Sequence, residues 1–103
     1  MKPEALCQGK GIYLVNDANQ VSTDEHLVAQ KYISDPFLLD GLKFDLRIYV
    51  LLYGVNPLRI FMYQEGLVRL ATEKYEKPQD DNLKNLYMHL TNYAINKHSS
   101  KFV

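Results

Sequence analysis

Within the eleven residues from Lys43 to Tyr53, charged and apolar side chains alternate from Lys43 to Ile48. Successive side chains of a β-strand point to opposite faces, so this alternation predicts a strand with one apolar and one charged face. The apolar face would carry Phe44, Leu46, Ile48, Val50 and Leu52. The charged face would carry Lys43, Asp45 and Arg47, a cation, an anion and a cation spaced about 7 Å apart. Such a row suits a surface that faces a ligand, and an ordinary solvated strand face is the alternative.

Two further apolar runs, Leu58 to Tyr63 and Leu67 to Thr72, follow this strand. Gly54 to Pro57 separates the first run from it, and Gln64, Glu65 and Gly66 separate the two runs. We therefore expect a meander of three antiparallel strands over Lys43 to Thr72, with Phe44, Leu46, Ile48 and Val50 buried. Upstream, Ile12 to Val15 and His26 to Ile33 read as two shorter strands, and Tyr75 to Asn85 reads as a charged surface loop.

Length and composition limit the classes of function. The 103 residues match one small domain, and 12 basic residues balance 12 acidic ones. This balance argues against nucleic acid and against an anionic membrane as partners. No apolar run approaches the ~20 residues that span a bilayer, and the residues near Met1 contain no apolar segment that would support secretion. The single Cys7 cannot form an internal disulfide, which fits a reducing cytosolic compartment.

Three groups of residues could carry chemistry. Gly9, Lys10 and Gly11 form a loop whose backbone could approach a phosphate, and a plain turn is the alternative. Arg47 and Arg69, on two strands of the expected meander, could hold an anion between planar guanidinium groups. The segment from His89 to Tyr93 is dense in hydrogen-bonding side chains, which fits either a site or a satisfied buried network. The spacing of His and Cys residues does not favour zinc.

Five separated motifs together resemble the tubulin tyrosine ligase-like family, and the resemblance extends over essentially the whole chain. These motifs are Lys2-Pro3, Gln8 to Ile12, Gln30 to Ile33, Asp40 to Arg47 and Met88 to Tyr93. Within the family, Cys7 to Gly11, Asp35 to Tyr49 and Ile95 to Ser100 are most similar to the polyglutamylases. The resemblance implies an α/β (α+β) fold of the ATP-grasp type with an antiparallel meander at its core. It also implies that residues 1–103 are the central part of such a domain, truncated at both ends.

The resemblance also implies a role for each matched residue in binding ATP. Lys2 and the loop of Gly9, Lys10 and Gly11 would meet the phosphates, and Gln30, Lys31, Tyr32 and Ile33 would line the adenine slot. Lys43 and Asp45 would approach the ribose or phosphates, and Thr91 and Asn92 would lie near the terminal phosphate. Arg47 and Arg69 would contact the phosphates and act as catalytic residues, because cations stabilise developing phosphoryl charge.

The implied activity is an ATP-dependent ligation that adds glutamate to glutamate side chains in the acidic C-terminal tails of tubulin and microtubules. The expected location is the cytoplasm and cytoskeleton, with the cilium or basal body as candidate places. The family's Mg²⁺ ligands are expected downstream of Val103, so no metal ligand is assigned in this chain and the segment alone is expected to be inactive. Two alternatives remain open: glycine or tyrosine as the incoming amino acid, and a non-catalytic member that binds tubulin or nucleotide.

Overall fold

The computed structural model describes all 103 residues, and a long β-hairpin is its largest element. One short 3₁₀ turn, Ala18–Gln20, lies in the polar stretch before the second strand. The remaining elements are β1 (Lys2–Pro3), β2 (Leu27–Val28), β3 (Leu38–Leu39), β4 (Leu42–Val55), β5 (Leu58–Lys74), α1 (Leu86–His89) and α2 (Tyr93–Asn96). β1 and β2 form a small antiparallel pair, and β3, β4 and β5 form an antiparallel sheet in that order.

The predicted third strand of the meander is wrong, because β5 runs without interruption from Leu58 to Lys74. The residues read as a turn, Gln64 to Gly66, lie instead at a β-bulge, where the pairing shifts between Ile48 and Val50 of β4. Gly66 lies opposite Ile48, and a Cβ atom there would come within 2.7 Å of the Arg47 carbonyl oxygen. The glycine is therefore required by the close approach of two backbones. In the sequence, a glycine of this kind cannot be distinguished from a turn glycine.

β3 supplies the third strand of the sheet at the other end of β4. Leu39 pairs with Leu42 across a two-residue turn, Asp40-Gly41, whose φ angles of +51° and +77° match the mirror-image turns of tight hairpins. The opposite end of the hairpin turns at Asn56-Pro57, a cis peptide bond. The antiparallel arrangement that the alternation predicted is thus present, with a different strand order.

The expected burial of the apolar face is wrong for most of β4. Phe44 is half-buried, but Leu46, Ile48 and Val50 are 58%, 54% and 59% exposed. Alternation decides which side chains share a face, and burial requires another layer packed on that face. In this structure the outer part of the hairpin is a two-stranded ribbon without a layer on either side.

The core lies at the base of the hairpin, where α1 packs against β4 and β5 and α2 packs against β5. Six residues are buried: Gly9, Ala71, Met88, His89, Thr91 and Asn96. Three of these are polar, and no buried side-chain nitrogen or oxygen lacks a hydrogen-bond partner. The base is therefore held by a satisfied polar network as much as by apolar contacts.

The upstream strand predictions are only partly confirmed. Ile12 to Val15 is not a strand, and the strand expected over His26 to Ile33 is limited to β2. Tyr75 to Asn85 contains neither helix nor strand, as the charged composition indicated. No helix in the structure is long and apolar enough to cross a membrane.

Candidate functional site

The charged row of β4 lies at the base of the hairpin, and Asp45 faces Arg69 directly across the two strands. Arg69 donates two hydrogen bonds to the Asp45 carboxylate, and its Nε lies 2.7 Å from Oδ1. Hydrogen bonds from Arg69 and Thr91 hold the pKa of Asp45 below its usual value. The hydrogen bond to Asp45 raises the pKa of Arg69. This two-pronged contact fixes the guanidinium plane of Arg69.

Arg47 is exposed and forms no ion pair with an acidic residue of the chain. Its charge reaches Asp45 on the same strand face and contributes to the lowered pKa of that carboxyl group. Lys43, Arg47 and Arg69 thus set three cations against one carboxylate. The excess positive charge makes this face of the hairpin suitable for an anion.

Lys43 is held on the other side of Asp45 by two oxygen atoms. Its Nζ donates to the Tyr32 hydroxyl at 3.1 Å and to the His89 carbonyl oxygen at 3.0 Å, and it lies 4.3 Å from the centre of the Tyr32 ring. Burial lowers the pKa of Lys43, and the charge of Asp45 opposes that change. The ammonium group is therefore fixed in position at the row.

Thr91 and Asn92 join the row to the Gly9 loop. Thr91 is buried, and its side chain contributes to the lowered pKa of Asp45. A Cβ atom on Gly9 would lie 3.0 Å from Cγ of Asn92 and 2.7 Å from Cδ1 of Ile95. Gly9 has a φ of +82°, a conformation that favours glycine. The contacts with Ile95 and Asn92 leave no room for a side chain at position 9, and the approach of Gly9 to a phosphate stays a prediction.

The structure brings together seven of the residues predicted to bind ATP, and Arg47 adjoins them. The seven are Gly9, Tyr32, Lys43, Asp45, Arg69, Thr91 and Asn92. The other six are exposed, and none of them forms a side-chain hydrogen bond or ion pair with this group; they are Lys2, Lys10, Gly11, Gln30, Lys31 and Ile33. Lys2 lies in β1 opposite Val28, and Ile33 is 71% exposed. Their roles stay predictions.

The sequence did not indicate the role of Asn96. Its side chain is 1% exposed, accepts from the Thr72 amide and hydroxyl, and donates to the carbonyl oxygens of Leu90 and Asn92. It therefore ties β5 to the segment that carries Thr91 and Asn92. The density of asparagines between Asn82 and Asn96 was the available indication. The sequence left two interpretations open for the His89 segment, a site or a satisfied buried network. The His89 side chain is buried, and both of its ring nitrogens have hydrogen-bond partners, which agrees with the buried network.

The donor set of the site fits an anion better than a metal. Its cations and the hydroxyl of Thr91 suit phosphate oxygens. No group of three or more His, Cys, Asp or Glu side chains could hold a metal ion, and Asp45, the carboxylate of the row, is already bound to Arg69. These residues do not fit a magnesium site.

Comparison with known proteins agrees with the sequence pattern. Residues 1–102 match the model of the tubulin-tyrosine ligase family. The chain is 54% identical over 102 residues to the mouse protein named tubulin polyglutamylase TTLL13 and covers 13% of its length. It is 55% identical over 102 residues to the zebrafish tubulin polyglutamylase ttll6, and 54% identical to a probable beta-tubulin polyglutamylase of Tetrahymena thermophila, of which it covers 8%. The chain therefore spans a small fraction of these relatives, with 99% of its own residues aligned, and it belongs to the tubulin-tyrosine ligase family.

Proposed function

We propose that residues 1–103 are the central part of an ATP-grasp ligase that joins glutamate to glutamate side chains in the acidic tails of tubulin. The names of the relatives support this substrate, because polyglutamylases align with nearly the whole chain at more than half identity. The corresponding location is the cytoplasmic cytoskeleton, including the cilium or basal body. Magnesium ligands would lie outside this chain.

The observation that carries the proposal is the charge arrangement at the hairpin base. In such a ligation, a phosphoryl group passes to a carboxylate, and an amine then displaces phosphate to form the amide. Negative charge develops on the phosphoryl oxygens during the transfer. Arg47 has no acidic partner in the chain and is free to bind that charge, while Asp45 orients Arg69 beside it.

Lys43 would bind the ribose or phosphates from the other side of Asp45, and Thr91 and Asn92 would lie near the terminal phosphate. Tyr32 belongs to this site through its contact with Lys43. Gln30, Lys31 and Ile33 would line the adenine slot, and Lys2, Lys10 and Gly11 would contact the phosphates. These exposed residues need a nucleotide or another part of the protein to bring them to the site.

The test uses the whole protein that contains this chain, with tubulin, ATP and magnesium. Arg47→Ala is expected to lower the rate of glutamate incorporation on the order of 10²-fold, as for other lost charge-stabilising groups. Arg69→Ala should cause a similar loss. Arg59→Ala is the matched control, since Arg59 lies on the same hairpin opposite Tyr53, near its far end. Circular dichroism of each variant checks the fold.

Three outcomes would contradict parts of the proposal. Near-normal rates in both Arg47→Ala and Arg69→Ala would remove the phosphate role of the row. Incorporation of glycine or tyrosine in place of glutamate would keep the ligase chemistry and reject the amino acid. Binding of tubulin or nucleotide without any incorporation would indicate a non-catalytic member.

A further inference from the structure

The ring of His89 is fully buried, and both of its nitrogens have partners. Nε2 lies 3.0 Å from the Asn82 carbonyl oxygen, which can only accept a hydrogen bond, so Nε2 carries the proton. Burial lowers the pKa of His89 and favours the neutral ring. In that form Nδ1 can only accept, and the Tyr32 hydroxyl 2.8 Å away must donate to it.

The same hydroxyl group also contacts Lys43. Because its hydrogen points to His89, its oxygen accepts from the Lys43 ammonium group at 3.1 Å. The direction of each bond is thus determined: Lys43 donates to Tyr32, Tyr32 donates to His89, and His89 donates to Asn82. Lys43 also donates to the carbonyl oxygen of His89 itself, so His89 restrains this ammonium group through two routes.

A lysine side chain is a flexible chain of four carbons, and it loses much rotamer freedom when its ammonium group is held in one place. The Tyr32 hydroxyl and the His89 carbonyl restrict it to one place beside Asp45. We propose that His89 is a positioning residue that, through Tyr32, fixes the ammonium group of Lys43 at the charged row. This inference rests on the proposed function, in which Lys43 contacts the nucleotide, and it assigns a role to a side chain that the site itself does not use.

Two amide variants separate positioning from simple structural support. His89→Asn keeps an acceptor at the place of Nδ1 and loses the contact with Asn82. His89→Gln keeps a donor near the place of Nε2 and loses the acceptor for Tyr32. A role in anchoring the Asn82 loop would make glutamine the better replacement. A role in positioning Lys43 makes asparagine the better one.

Both variants are made in the whole protein, and two quantities are measured. The KM for ATP in the ligation assay should rise roughly tenfold in His89→Gln relative to His89→Asn, a difference of ~1.4 kcal/mol. Competitive labelling of Lys43 with an amine-reactive reagent, read by mass spectrometry, should be about fivefold faster in His89→Gln, the factor for a hydrogen bond of ~1 kcal/mol. Tyr32→Phe removes the hydroxyl group and should match His89→Gln in both quantities.

Labelling of Lys43 in His89→Gln that is equal to or slower than in His89→Asn would overturn the positioning role. An unchanged labelling rate in Tyr32→Phe would overturn it as well, even if a His89 variant failed to fold. The labelling does not depend on catalysis. Faster labelling without a change in the KM for ATP would therefore uphold the positioning of Lys43 and reject its contact with the nucleotide.

Discussion

Gly9 offers a direct test of whether the loop of Gly9 to Gly11 is built around α2. Replacing Gly9 by alanine has two costs. The residue has a φ of +82°, which costs an L-residue roughly 1–2 kcal/mol. The new Cβ atom would also lie 2.7 Å from Cδ1 of Ile95 and 3.0 Å from Cγ of Asn92, and overpacking of this kind costs about 1–3 kcal/mol.

Gly54→Ala is a matched control at the far turn of the hairpin. Gly54 has a φ of +77°, so the backbone cost is nearly the same. A Cβ atom there meets only the Pro57 carbonyl oxygen, at an ordinary contact distance of 3.5 Å. The two variants should therefore differ by about 2 kcal/mol, the mid-range of the overpacking term.

Hydrogen exchange of the whole protein, read by mass spectrometry, measures local opening at each place. In the Gly9 loop the amides of Lys10 and Ile12 donate to the carbonyl oxygens of Cys7 and Gly9. A difference of ~2 kcal/mol corresponds to roughly 30-fold in the opening equilibrium. The loss of hydrogen-exchange protection in the Gly9 loop of Gly9→Ala should therefore be roughly 30-fold larger than the loss in the hairpin turn of Gly54→Ala. Equal losses would refute the contact argument and leave the backbone conformation as the sole requirement.

Two further variants test the polar network at the hairpin base. The hydrogen bonds from Arg69 and Thr91 lower the pKa of Asp45 in the folded protein. Ionised Asp45 therefore stabilises the fold above its unfolded pKa of about 3.9. This stability is lost as the pH falls through the lower pKa of the folded state. Asp45→Asn should make the melting temperature fall less steeply below about pH 4. Asp24→Asn, at an exposed position, is the control and should leave that fall unchanged. Equal pH dependence of the melting temperature in the two variants would reject a stabilising pairing of Asp45 with Arg69. Asn96→Ala breaks four hydrogen bonds and should lower the free energy of unfolding by about 3 kcal/mol. Asn19→Ala, at an exposed position, should change it little. Denaturant titration compares the two variants, and equal free energies of unfolding would show that the Asn96 hydrogen bonds do not stabilise the fold.

Part of the site could be predicted because charged and apolar residues alternate from Lys43 to Ile48 in β4. The sequence predicts Lys43, Asp45 and Arg47 on one face of the first strand and Arg69 on the third strand of the meander. The direct pairing of Asp45 with Arg69 differs from that prediction, because β5 is one continuous strand beside β4. The prediction treated Arg69 as a free phosphate ligand, however, because sequence separation does not show which cation meets which carboxylate. Register decides that Arg69 is paired and Arg47 is not.

The course of β5 could not be predicted from local composition. Gln64, Glu65 and Gly66 have the composition of a turn, and they form a bulge because the opposite strand continues past them. Gly66 is required there by the carbonyl oxygen of Arg47, a contact between residues 19 positions apart in the sequence. Local propensity carries no information about that contact.

The sequence alone determined the antiparallel hairpin, the charged row and membership of the family. Period-2 alternation and motif spacing are local or linear properties, so they can be read without coordinates. Only the tertiary structure decided what each of these residues contacts. Asp45 binds Arg69, Lys43 binds Tyr32 and His89, and the backbone of Gly9 lies against Asn92 and Ile95. It also decided burial, leaving the apolar face of β4 exposed and burying His89 and Asn96. Burial and hydrogen-bond direction depend on what packs against a residue in space, and neighbours along the chain do not specify this.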